Sequence, residues 1–327
     1  MDSLHAAAAK SLAMRTRLHP AEIAFWLCAV ASYFLLPGKH LILSEIAIMA
    51  LFALSVDLLL GYAGIVSLGH AAFFGVGAYV AGLLGKYGYG EPVLGLVVGG
   101  FGAAVFGFAT SFLVLRGTDL TRLMVTLGVA LVFYEIANKA GFTGGADGLQ
   151  GVMMGPVIGL FEFDIFGHVA YAYSLIVLFV MIMAARRIVG SPFGLSLVAI
   201  KGNPLRARAV GVPVNARLVG VYTLAAFYAG VAGALLAQTQ AFVSLDVLAF
   251  HRSADGLLVL LIGGAGYLYG GVIGAVIFKL MQDQIAALTP QYWQFWIGLF
   301  LVALVIIGRD RLIAGPAALL NLLRRRS

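Results

Sequence analysis

Apolar runs as long as a bilayer crossing recur throughout this chain, and they constrain its fold more than any other feature. A helix needs roughly 17–25 predominantly apolar residues to span the hydrocarbon core, and such runs lie at 21–36, 41–60, 62–85, 92–115, 118–138, 169–185, 216–239 and 291–308. A further run, 254–285, is too long for one ordinary span. Because 62% of residues are hydrophobic and only 11% are charged, a soluble globular domain is excluded and an all-α polytopic membrane protein is expected. The net charge of +7 fits basic loops on one membrane face, not nucleic-acid binding. Cys28, the single cysteine, lies in an apolar run and has no intrachain partner.

The basic residues set the orientation. Lys10, Arg15 and Arg17 precede the first span; Arg116 and Arg122 separate the fourth and fifth; Arg186, Arg187, Lys201, Arg206, Arg208 and Arg217 flank a central loop; Arg309, Arg311, Arg324, Arg325 and Arg326 end the chain. All can be cytoplasmic only if an even number of crossings separates each cluster, and the first six spans satisfy this. From Arg217 to Arg309 one span leads out and one leads back, so 254–285 must turn on itself, most readily at "GGAGYLYGG" (Gly263 to Gly271). About ten membrane segments follow, some broken or re-entrant, with both termini cytoplasmic. Sixteen basic residues are then inside and four (Lys39, Lys86, Lys139, Arg252) outside, with Lys279 in the membrane region. The organisation expected is a cytoplasmic N-terminal segment at 1–20, a membrane domain at 21–308 with a cytoplasmic loop at 186–217, and a basic tail at 309–327. A cleaved signal peptide over 10–31, ending near "AVAS", would remove the first crossing and break the parity.

Two of the apolar runs carry breaks. In "GYAGIVSLGHAAFFGVGAY" (61–79), Gly61, Gly64, Gly69, Gly75 and Gly77 surround Ser67 and His70; a second glycine-rich stretch spans Gly263 to Gly274. Close helix packing is one reading. The other is a pair of broken helices whose freed backbone groups line a polar path between structural repeats. His70 has no second ligand at metal spacing and reads as a packing or hydrogen-bonding residue. Glu45, Asp57, Glu135, Asp255, Lys279 and Asp283 lie in or near spans. Lys279 and Asp283, four apart, can neutralise each other, and Asp57 is near enough to a span end to snorkel. The opposite-face loop "FTGGADGLQG" (142–151), with Thr143, Gly144, Gly145, Asp147 and Gly148, reads as a turn or as a flap over a mouth.

The polar passage "GSPFGLSLVAIKGNPLRARAVGV" (190–212) contains helix punctuation twice over. Ser191 reads as an N-cap before Pro192, with Gly202 as a stop; Asn203 caps a second helix starting at Pro204, and Gly211 follows its end. The second helix is too short to persist alone in water, and it offers Leu205, Ala209 and Val210 beside Arg206 and Arg208. Either a protein partner or anionic headgroups would satisfy such a surface; the terminal "LLRRRS" reads as a cytoplasmic anchor or as a site for anionic lipid.

In order along the chain, "DLLLGYAGIVSLGHAAFFGVGAY" (57–79), "TGGADGL" (143–149), "SPFGLSLVAIKGNPLRARAVGV" (191–212) and "LIGGAGYLYGGVIGA" (261–275) resemble the signature blocks of branched-chain amino acid ABC transporter permeases of the LivM type. The resemblance covers about residues 40–308. It implies that Ser191, Pro192, Phe193, Gly194, Asn203, Pro204, Arg206, Arg208 and Gly211 belong to a cytoplasmic segment coupling to an ATPase. It likewise places Ser67, Gly69, His70, Phe74 and Gly75, with Gly263, Gly264 and Gly266, near a translocation path. The partners implied are a LivH-type permease, LivG- and LivF-type ATPases that hold the ATP and Mg²⁺, and an extracytoplasmic solute-binding protein, in a bacterial inner membrane. Two departures stand out: Asp57 occupies a position where Asn is more usual, and Gly202-Asn203-Pro204 replaces a more acidic stretch.

The chain has no phosphate-binding GxxxxGK[ST], no HExxH, no nucleophile elbow and no clustered metal ligands. A non-catalytic translocation subunit without its own cofactor is therefore expected. Urea, short amides or aromatic acids are alternative cargoes for such a permease. The rivals in mechanism are an ion-coupled secondary transporter working through Glu45, Asp57 or Asp283, and a passive channel, which would need no capped helices at 191–212.

Overall fold

The apolar runs become helices, with one exception that matters. The computed structural model describes residues 20–117 and 119–307; the segments 1–19 and 308–327, with Lys10, Arg15, Arg17 and the C-terminal arginines, lie outside the described residues. The helices are α1 (Pro20–Leu35), α2 (His40–Asp57), α3 (Ala71–Lys86), α4 (Pro92–Val114), α5 (Asp119–Lys139) and α6 (His168–Val189). They continue with α7 (Pro192–Gly202), α8 (Pro204–Ala209), α9 (Val214–Gln240), α10 (Phe250–Gly263), α11 (Gly270–Leu288) and α12 (Trp293–Ile307). Among the described residues the only strand-like pairs are two isolated bridges. Among the described residues, six helical stretches are long and apolar enough to cross a membrane: His40–Tyr62, Pro92–Val114, Leu120–Lys139, His168–Val189, Val214–Gln240 and Gly270–Leu288.

The exception is 62–85, which does not form one continuous span. A π-helical turn, Leu58–Tyr62, prolongs α2, the backbone then runs without helix through 64–70, and α3 starts only at Ala71. Hydropathy registers how apolar a residue is, whereas the backbone here follows glycine and neighbouring helices.

The chain forms two units, 1–275 and 276–327. In the first, α9 is central and packs on α4, α3 and α2. Tyr222, Tyr228 and Leu235 of α9 are fully buried. Close approach of α3 to α9 requires glycine: a Cβ on Gly77 would strike the Gly230 backbone, and one on Gly233 the Phe74 carbonyl. In lipid, where apolar side chains gain little by leaving the solvent, such backbone proximity is the main source of helix association. The outward face of α4, with Phe101, Val105, Phe108 and Phe112, stays exposed, as suits contact with acyl chains. The second unit, in its described part, comprises the C-terminal portion of α11, a turn closed by Tyr292 N donating to Thr289 O (3.2 Å), and α12.

Helix direction puts the loop after α6 and the loop before it at opposite ends. The end carrying Arg186, Arg187 and the α7–α8 pair is called the basic end here. At the other end, 141–148 contains two 3₁₀ turns, Gly141–Thr143 and Gly145–Asp147. Thr143 Oγ1 donates to the Ala137 carbonyl (2.6 Å), and the fully buried Leu149 bridges to Val243 through paired backbone bonds of 2.8 and 3.2 Å. Asp164 accepts from Val169 N (3.0 Å) at the start of α6. Slight burial pushes its carboxyl up, but the N–H donors of Val169 and His168 outweigh this and hold it below the usual carboxylate range.

Candidate functional site: the basic-end helix pair and the paired breaks

The helix pair is built by local chemistry. Asn203 Oδ1 accepts from Leu205 N (3.0 Å) and Arg206 N (2.9 Å), so it caps α8 as the sequence predicts. Gly211, just beyond α8, has φ +90°. Ser191 differs from its expected role. It occupies the N-cap position of α7, but its hydroxyl donates backwards to Ile188 O (2.6 Å) and caps nothing. The reason lies in the turn from α6: Ser191 N also donates to Ile188 O (3.2 Å), so the hydroxyl is drawn to the end of α6. Gly194 permits that tight turn, because a Cβ there would strike the Val189 backbone. Phe193 lies under the Arg217 guanidinium, 5.4 Å from carbon to ring centroid, and fastens α7 to the start of α9. Amide exchange distinguishes the two caps. Asn203→Ala is expected to speed exchange over 205–212 roughly fivefold, the equivalent of about 1 kcal/mol of lost capping, whereas Ser191→Ala should leave 192–202 unchanged.

The breaks meet directly beneath this pair. Asp57 is 0% exposed, and its Oδ1 accepts from Gly266 N at 2.7 Å. The snorkelling expected of Asp57 is therefore corrected: its carboxylate turns inward because the loop 264–269 supplies an N–H donor at membrane depth. Lys201, at the end of α7, reaches in and donates its Nζ to Gly61 O at 2.7 Å. Gly61 itself sits so close to Asp57 and Gly266 that a Cβ would strike the carboxylate and lie 2.6 Å from Gly266 N. One polar cluster thus joins α7, the break after α2 and the break after α10. Beside it, Glu22 and Arg186 form an ion pair between α1 and α6. With Tyr62, Gly266 and Tyr269, that pair borders a cavity of about 370 Å³.

The other expected path residues lie deeper and are enclosed by this chain's own helices. His70 is buried, with Nε2 2.9 Å from Ser55 Oγ, and Phe74 packs edge-to-face on Phe52 at 5.0 Å. Ser67 is buried. A Cβ on Gly69 would strike the Thr126 carbonyl, and one on Gly75 would strike Leu248. Backbone groups freed by the break bond to protein: Leu68 N donates to Thr126 Oγ1 (3.3 Å) and Ala71 N to Ser253 Oγ (2.8 Å). All five are closely packed among neighbouring helices. Gly263 and Gly264 close the α10 end, with Gly264 at φ +98°. Glu135 is exposed and lies 3.9 Å from Lys139; Glu45 and Asp255 are half-buried, and Lys279 and Asp283 lie on α11.

Sequence reasoning missed Lys201 as a site residue and the pairing of Asp57 with Gly266. A lysine directly after the apolar run "LVAI" was the available signal for the first. The second joins positions 209 apart, which no local pattern displays.

Among the described residues a helical core has its broken helices meeting beneath a capped helix pair, and residues 40–307 match the family described as branched-chain amino acid transport system / permease component. The chain belongs to that family and is a multi-pass membrane protein. Among its relatives, the high-affinity branched-chain amino acid transport system permease protein LivM of Escherichia coli is 27% identical over 268 residues, covering 72% of this chain and 62% of that protein. The fructose import permease protein FrcC of Rhizobium meliloti is 25% identical, covering 88% and 82%. The galactose/methyl galactoside import permease protein MglC of Salmonella typhimurium is 25% identical, covering 54% and 53%. The chain thus spans about three-fifths of the length of the LivM proteins it matches. No solved structure matches it.

Proposed function

We propose that this chain is the translocation subunit of a binding-protein-dependent ABC importer in a bacterial inner membrane, with branched-chain amino acids as its cargo. The observation that carries the reading is the bond from Lys201 to Gly61, which ties the exposed helix pair to the point where both breaks meet. Leu205 and Val210 are 73% and 84% exposed beside Arg206 and Arg208, a surface of mixed apolar and positive character that suits docking into an ATPase. Movement of α7 pulls on the Gly61 backbone and, through Asp57, on the Gly266 loop. Alternation between outward-open and inward-open states needs a two-state element of this kind.

In this reading the basic end is cytoplasmic. The six long helices, together with α1, α3, α10 and α12, make ten membrane segments with both termini inside. LivG- and LivF-type partners hold the ATP and Mg²⁺, a LivH-type permease completes the pair, and a solute-binding protein docks at the end where 141–148 lies. The chain itself performs no chemistry. The paired breaks, with Gly263, Gly264, Gly266 and the 67–75 segment, move to open the path. Cargo follows the LivM relatives; MglC and FrcC, named as sugar import permeases, mark a different solute class among the relatives.

Co-purification tests the reading. Tagged chain drawn from its native membrane in mild detergent is expected to bring down two ATPases and a second permease. Leu205→Glu/Arg206→Glu should reduce the ATPases at least tenfold while keeping the second permease. Purification of the intact wild-type chain alone would overturn the importer assignment.

A further inference from the structure

The groove between α4 and α9 combines an apolar trough with a positively charged mouth, a shape that transport coupling does not call for. Phe108, Phe112, Leu115, Val219 and Thr223 line the trough, and Arg116, Arg208 and Asn215 stand at its basic end, around a space of about 840 Å³. A second cavity of about 280 Å³ shares Leu115, Arg208 and Asn215 with it and adds Arg122 and Lys201. Together the two hold four cationic side chains, and no carboxylate is among the described residues that line them. The cavity beside Tyr269, by contrast, contains Glu22. Arg208 Nη2 has only a neutral partner here, donating to Asn215 Oδ1 at 3.2 Å.

Both helices run through the bilayer, so the trough lies at acyl-chain depth and its mouth at headgroup depth. A positive-inside loop alone accounts for cations at this level; it does not account for an open apolar channel leading away from them. Cations at a membrane interface attract anionic headgroups, and guanidinium groups match phosphate in geometry. We propose that this groove is a binding site for one anionic phospholipid, with an acyl chain between Phe112 and Val219 and the phosphate held by Arg116 and Arg208. Because Arg208 belongs to α8, the bound headgroup fastens the short helix to the end of α4 and the start of α9. The assignment needs only a membrane-spanning chain; of the surface proposed to dock an ATPase it engages Arg208 and leaves Leu205, Arg206 and Val210 outside the groove.

Native mass spectrometry of the full chain tests it, after reconstitution in phosphatidylglycerol vesicles and, in parallel, phosphatidylcholine vesicles. One phosphatidylglycerol per chain is expected to survive extraction, with no phosphatidylcholine retained. Arg116→Gln/Arg208→Gln should lower retention roughly tenfold. Thr223→Phe, which fills the trough and leaves every cation in place, should lower it several-fold. Arg187→Gln removes a basic-end charge outside both cavities and should change nothing. If Arg187→Gln lowers retention as much as the double variant, diffuse surface charge holds the lipid and the site is refuted. Wild-type retention in both Arg116→Gln/Arg208→Gln and Thr223→Phe refutes it as well, as does a groove filled by a co-purifying permease with no lipid retained. Should the double variant fail to accumulate, Thr223→Phe measured against Arg187→Gln decides alone.

Discussion

Gly61→Ala is expected to remove most of the well-folded protein from the membrane, although it adds a single methyl group. That methyl would strike the Asp57 carboxylate and lie 2.6 Å from Gly266 N. A side chain can swing aside, but the Gly266 backbone cannot do so without displacing the loop 264–269. Overpacking of this kind costs about 1–3 kcal/mol. If Asp57 is pushed off Gly266, a buried hydrogen bond is lost and its N–H is left unsatisfied, at a cost of about 1–3 kcal/mol. The two together, about 2–6 kcal/mol, take up a large part of a typical folding free energy of about 5–15 kcal/mol. Gly128→Ala is the control: a Cβ there meets nothing within 4 Å, and alanine in a helix interior gains up to about 1 kcal/mol over glycine. Size-exclusion profiles of detergent extracts and thermal midpoints would measure both. Since Gly61→Ala and Asp57→Ala disrupt one bond, their combined loss should be smaller than the sum of the separate losses. A Gly61→Ala protein as stable as wild type would mean that the breaks do not meet where the structure puts them.

How far the sequence reveals this arrangement depends on the range of the interaction. The run 41–60 becomes α2 and the run 92–115 becomes α4 almost residue for residue, because membrane depth and helix formation go together when no other donor is near. Asn203 caps α8 as read, since a cap involves only neighbours. The run 62–85 fails as one span because Thr126 and Ser253, far away in sequence, supply partners for the unwound backbone. Ser191 fails as a cap because the end of α6 competes for its hydroxyl. Asp57 was visible as an anomalous charge, but its partner lies 209 residues on. A single sequence displays the charge and leaves out the fold that answers it.

Asp57 also offers the sharpest separation between a mechanical link and an ion site. Its described role is that of an acceptor: Oδ1 takes the Gly266 N–H, while Lys201 holds Gly61 one turn further along the chain. Asparagine keeps an oxygen in that position and loses only the charge. Asp57→Asn is therefore expected to retain transport within about twofold in the reconstituted complex. Leucine has similar bulk and no acceptor, so Asp57→Leu strands the Gly266 N–H in a dry setting at a cost of about 1–3 kcal/mol. By biasing the two-state equilibrium by that amount, it should lower uptake by roughly ten- to a hundredfold. ATP hydrolysis by the assembled complex should continue, because α8 and its exposed surface are untouched. Lys201→Met, which cuts the link on its other side, should show the same split between hydrolysis and uptake. An ion-coupled transporter predicts the reverse order at position 57: the carboxylate's charge would be indispensable, and Asp57→Asn would abolish uptake as completely as Asp57→Leu. Uptake and hydrolysis measured together for the three variants therefore decide whether force or charge passes through this carboxylate.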